Sequence, residues 1–166
     1  MRAGWFLVLI VAASLLSSTV FTFLQVMGVK PDLALVLIIL YGFSSEPREG
    51  AVWGLFGGLL QDLLSGGYLG LHALEGMAAG YLAAMAGTRF FRENTGVLAI
   101  STFGVSFAAG VVHFVLLLFL NIHVNAQVVF LRLIPISSAY NTLAALLVSR
   151  LTARYPESLS ARRPRF

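Results

Sequence analysis

The sequence predicts an all-α integral membrane protein, a bundle of about six transmembrane helices with both termini cytoplasmic. Three observations carry that prediction. Hydrophobic residues make up 58% of the 166-residue chain and charged residues only 11%, whereas a water-soluble domain carries roughly 25% charged residues to cover its surface. Mean hydropathy is +0.89. The apolar residues fall in long runs separated by short polar turns, and the basic residues gather on alternate turns. The length suits one domain, read as a helical unit over 1–150 and a basic cytoplasmic tail over 151–166. There is no cysteine, so disulfides, thiol catalysis and Cys-ligated metals are excluded.

The first element, MRAGWFLVLIVAAS, imitates a secretion signal, with Arg2 ahead of an apolar core. Its apolar run continues to Met27, longer than a cleaved signal needs, so Gly4–Met27 reads as an uncleaved first span. Five further spans follow at Asp32–Phe43, Gly50–Leu64, Gly67–Gly87, Gly96–Leu120 and Leu133–Ser149. A full crossing takes about 20 residues, and the second and third spans are short. Their connecting turn carries Glu46, Arg48 and Glu49, a tip that lipid does not tolerate. Two short or tilted crossings are the reading, with a partly re-entrant pair as the alternative.

Six spans place nine arginines (Arg2, Arg48, Arg89, Arg92, Arg150, Arg154, Arg162, Arg163, Arg165) on one side and only Lys30 and Arg132 on the other. Cytoplasmic segments carry such an excess. The turns near Lys30–Asp32, Asp62–Gly67 and Asn121–Arg132 then face outward. The arginine-rich tail is either a topology anchor or a contact for anionic lipid or an acidic partner.

Glycine is unfavourable in an isolated helix interior and favourable where helices in lipid approach closely. Gly50, Gly54 and Gly58 recur every four residues and share one helix face, which Gly57 widens. Gly76 and Gly80 form a second such strip, continued by Ala84. Two readings stand: a groove that receives the transmembrane helix of another protein, or packing among the chain's own helices.

Glu75, His113 and Asn141 each lie about eight residues, or ~12 Å, from the outer ends of their spans. Ser17 and Ser18 fall at a similar level, and His72 sits one turn from Glu75 on the same face. A carboxylate in a bilayer requires a partner or a proton, and these residues are expected to converge in a polar layer, with Glu75 either paired to His113 or His72 or protonated. The layer is a structural hydrogen-bond network, a contact site for a partner helix, or a small-ligand pocket. Asp62, ahead of Ser65-Gly66-Gly67 and Gly70, is expected at an outer turn, capping N–H groups at the start of the fourth span. Asp32, after Pro31, is expected to cap the second span in the same way.

No HExxH, GxSxG, Walker A or dinucleotide fingerprint is present. His72, His113 and His123 lack a spacing that specifies zinc, and nothing in the order of residues orients a nucleophile. The chain reads as a non-enzyme, without cofactor or metal.

The run from Pro31-Asp32 through GAVWGLFGGLLQDLLSGGYLGLHAL resembles the rod shape-determining MreD family. Its signature, a glycine-rich G-x-x-x-G-F/L-x-x-G-L-x-x-D followed by a link and a further glycine, is matched by Gly50, Gly54, Leu55, Gly58, Leu59, Asp62 and Gly70. Gly57 doubles one glycine, a departure from the pattern. The motif covers about a third of the chain; the rest agrees in hydropathy. The resemblance implies a multi-pass protein of the bacterial inner membrane, a scaffold of the cell-elongation machinery. It implies direct binding of MreC, and indirect association with the MreB filament and the glycosyltransferase–transpeptidase pair of lateral wall synthesis. The glycine faces then receive or support a partner helix. The family is also similar in architecture to the substrate-binding subunits of energy-coupling vitamin transporters, which makes small-solute binding the alternative function. The first span lacks the alanine-rich docking face usual in those subunits.

Overall fold

The computed structural model describes residues 8–15, 31–89, 95–122 and 124–153. Among them are α1 (residues 8–15), α2 (Leu33–Phe43), α3 (Pro47–Ser65), α4 (Leu71–Arg89), α5 (Thr95–Phe119), the short α6 (Ala126–Val128), a π-helical turn (Val129–Leu133) and α7 (Ile134–Ala153). No strand occurs among the described residues. The remainder of the Gly4–Met27 span, Ser17, Ser18, Lys30, Arg92, His123 and the tail from Arg154 lie outside the described residues.

The central element is α2. Ala34, Leu35, Val36, Ile38, Ile39 and Phe43 are all buried, and a helix that is apolar all round belongs in an interior. It packs against α3, α4, α5 and α7. Ile10 of α1 joins Ile38, Ile39, Ala79, Ala83, Val105 and Ala109 in the same core. Its burial explains a length of 11 residues: neighbours, not lipid, cover it.

The most extensive contact is between α3 and α4, and it is made by backbone. A Cβ at Gly50 would strike the Gly80 carbonyl oxygen, and one at Gly80 the Gly50 carbonyl oxygen. Gly54 and Gly76 block one another in the same reciprocal way, and a Cβ at Gly58 would strike the His72 carbonyl oxygen. The pairs step four residues in opposite directions, as two antiparallel helices in continuous contact require. The predicted strips therefore face each other, and the seam between α3 and α4 is closed to any third helix. Gly57 lies off this seam, against Ile10 and Ile38. The α2 helix closes on the far end of α4, where a Cβ at Gly87 would strike the Phe43 carbonyl oxygen.

Several boundaries differ from the sequence reading. Helix α3 begins at Pro47, because proline is favoured in a first turn. Helix α4 begins at Leu71 rather than Gly67, because Gly66 (φ 65°) and Gly70 (φ 100°) adopt the left-handed region and form the turn. The last helical run begins at Ala126, where the Asn125 side chain accepts from the N–H groups of Gln127 and Val128. The Asn121–Arg132 turn is accordingly shorter than expected, and Arg132 lies within the π-turn. That turn ends just before Pro135, which lacks an N–H and whose ring clashes with a regular helical carbonyl one turn back. Helix α7 continues to Ala153, past the expected boundary at 150.

Two runs, Thr95–Phe119 and Ala126–Leu151, are long and apolar enough to cross a membrane. The exterior is also apolar: Ile100, Phe119, Leu131 and Leu147 are 64–84% exposed. Large side chains of this kind in such numbers suit contact with lipid rather than water.

Gly58→Ala should destabilise the bundle by about 1–3 kcal/mol through overpacking. Gly104→Ala, where nothing lies within 4 Å of the added carbon, should be neutral or stabilising by up to about 1 kcal/mol. Thermal unfolding of both variants in one detergent checks the contrast; equal effects would mean that the seam is not tightly packed.

Candidate functional site

The N-termini of α2 and α4 and the C-termini of α3 and α5 share one end of the bundle, where Asp32, Gln61, Asp62, His72, Glu75 and His113 gather. Asp62, 1% exposed, stands on the last turn of α3, opposite the start of α4. Its Oδ2 accepts from the N–H groups of Gly70 (2.8 Å) and Ala73 (3.2 Å), and its Oδ1 from the N–H of His72 (3.0 Å). His72 Nδ1 lies 2.7 Å from Oδ1 as well. A single carboxylate thus satisfies three of the N–H groups that a helix start leaves without intrahelical partners, and it does so from a neighbouring helix. The Gly58–His72 contact brings the two helices close enough for this.

Asp32 holds the start of α2. Its Oδ1 accepts from the Leu35 N–H at 3.0 Å and its Oδ2 from the Gln61 side-chain amide at 2.8 Å. The Asp32 N–H donates to Asn141 Oδ1 at 3.0 Å. Asn141, 1% exposed, thereby ties α7 to α2. Gln61 and Asp62 are adjacent in sequence yet reach α2 and α4 respectively.

Glu75 and His113 form the third cluster. Glu75 is buried on α4, and its Oε2 lies 2.6 Å from His113 Nδ1 on α5. The His72 and His113 rings stand edge to face with centroids 5.3 Å apart. Of the residues expected in one polar layer, His72, Glu75 and His113 come together, while Asn141 is engaged with the Asp32 backbone. The role of Gln61, and the joining of Asp32 to both α3 and α7, escape a reading of sequence, since a glutamine at a helix end carries no local signal of its distant partner.

A cavity of about 550 Å³ opens beside these groups. Asp32, Gln61, His72, Glu75 and His113 line one part of it, and Phe114, Leu117, Val124, Val129 and Leu133 another. Ser106, buried on α5, also lines it, and its hydroxyl has no hydrogen-bond partner among the described residues. The π-turn supplies Val129 and Leu133, and π-turns commonly accompany functional positions.

An apolar exterior, a glycine-packed interior and a polar cluster at one end describe an all-helical bundle, two of whose helical runs are long and apolar enough to cross a membrane. The profile of the rod shape-determining protein MreD family matches residues 2–153 of the chain. The chain belongs to the MreD family, membrane proteins with a structural role in determining rod shape. No curated protein and no solved structure matches, so the expected likeness to vitamin-transporter subunits is without support from these comparisons.

Asp62→Ala would strand the Gly70, His72 and Ala73 N–H groups. It should lower stability by about 2–4 kcal/mol, from the loss of a cap and the unsatisfied buried donors. Asp62→Asn, which keeps one acceptor oxygen, should lower it by less. Unfolding measurements on both variants test the order; a larger loss for Asn than for Ala would contradict the capping role.

Proposed function

We propose that the chain is a non-enzymatic scaffold of the cell-elongation machinery, multi-pass in the bacterial inner membrane, that binds MreC and so supports rod shape and lateral peptidoglycan synthesis. MreB and the glycosyltransferase–transpeptidase pair associate indirectly. The observation that carries this reading is the family match across 2–153, which spans every described helix. Residues 1–150 act as one unit with 151–166 as a basic tail, and the nine-to-two arginine and lysine asymmetry supports a cytoplasmic position for both ends. With Gly50, Gly54, Gly58, Gly76 and Gly80 turned inward, the glycines serve a partner helix by support. They hold α3 and α4 as one rigid pair, whose outer face presents Val52, Phe56, Leu59 and Leu63 at the three- and four-residue steps of a helix face.

Co-expression with MreC and purification in detergent should yield a stoichiometric complex. A folded chain that leaves MreC behind would overturn the scaffold reading, and a tightly held vitamin recovered in its place would favour the transporter alternative. Reporter fusions should place residue 166 and the Ser44–Glu46 turn in the cytoplasm and the Gly66–Gly70 turn outside; the reverse pattern would refute the topology.

A further inference from the structure

We infer that His72, Glu75 and His113 form a binding site for a divalent transition-metal ion of the zinc class, joining α4 to α5. One nitrogen of each imidazole and one oxygen of Glu75 all lie within 4.8 Å of one another. An ion with four ligands at about 2.0–2.1 Å holds them about 3.3 Å apart. Ligand atoms no more than 4.8 Å apart reach that spacing by closing at most about 1.5 Å.

The surroundings match what such ions require. Imidazole ligands are held in orientation by a second hydrogen bond, most often to a carboxylate. His72 has one: its Nδ1 lies 2.7 Å from Asp62 Oδ1, which leaves Nε2 as its free ligand atom. Asp62 is in turn fixed by three backbone N–H groups. The cavity admits the ion and leaves room for water as a fourth ligand. His72 and His113 keep 27% and 30% of their side chains exposed, while Glu75 lies behind them. Two imidazoles with one carboxylate and no thiolate select zinc and its first-row neighbours. Calcium and magnesium take oxygen shells and copper(I) takes sulfur.

The ion would act as a clamp rather than a reaction centre. It fastens the start of α4, already capped by Asp62, to α5 beside the cavity mouth. Binding to the folded state alone also raises stability by mass action.

The test uses the full chain with its affinity tag removed, stripped with chelator, in detergent, at buffered concentrations of free zinc. Elemental analysis after desalting should find about one zinc per chain, the stoichiometry of one three-ligand site. Zinc should raise the unfolding temperature. His72→Gln and His113→Gln should each weaken binding by more than about 100-fold, since even loss of a second-shell partner costs 10–100-fold. Helical circular dichroism and elution volume establish that these variants are folded. X-ray absorption on the zinc-loaded unmodified chain gives a readout independent of any variant, with two imidazoles in the shell expected. Substoichiometric zinc at micromolar free metal, undiminished binding in both variants, or a shell without imidazole would each overturn the site.

Discussion

Direct contact between the backbones of α3 and α4 sets the register from which the polar end of the bundle is built. In lipid, apolar side chains gain nothing from water on association, so helices cohere through close packing and satisfied polar groups. Gly50, Gly54 and Gly58 meet Gly80, Gly76 and the His72 carbonyl in antiparallel register. Approach at this distance sets Cα–H groups against carbonyl oxygens, a contact worth about 0.5–1 kcal/mol each. It also fixes the axial position of one helix on the other, because a shift by one residue would bring side chains where only hydrogen fits.

The polar end of the bundle follows from that register. With Gly58 against His72, Asp62 stands one turn further along α3, at the start of α4, where its carboxylate meets three N–H groups and an imidazole. Gln61, one residue earlier, points to Asp32 and braces the start of α2. A buried carboxylate without such partners would be strongly destabilising. The glycine seam and the Asp62 cap are thus mutually dependent: the seam brings the acid to its donors, and the donors make its burial tolerable.

Glu75 and His113 extend the same logic between α4 and α5. Glu75 lies one helical turn beyond His72, on the side of α4 facing α5. The cavity beside them is bordered by the α5–α6 hairpin and the π-turn that precedes Pro135. Rigid packing on the α3–α4 side and an open polar recess toward α5 divide the bundle into two environments.

Local features were legible in the order of residues. Hydropathy over runs of residues marked the helices, the four-residue recurrence of Gly50, Gly54 and Gly58 marked a contact face, and the position of Asp62 and Asp32 beside turn residues marked helix caps. These signals lie within one helix or one turn, where 1.5 Å of rise and 100° of rotation per residue make spacing informative. The folded bundle set what each face meets. It turned both glycine strips on each other, sent Asn141 to the Asp32 backbone rather than to Glu75, and brought His72 and His113 together across 41 positions of sequence. Register between helices depends on packing summed over the whole bundle, and no spacing within a single segment encodes it.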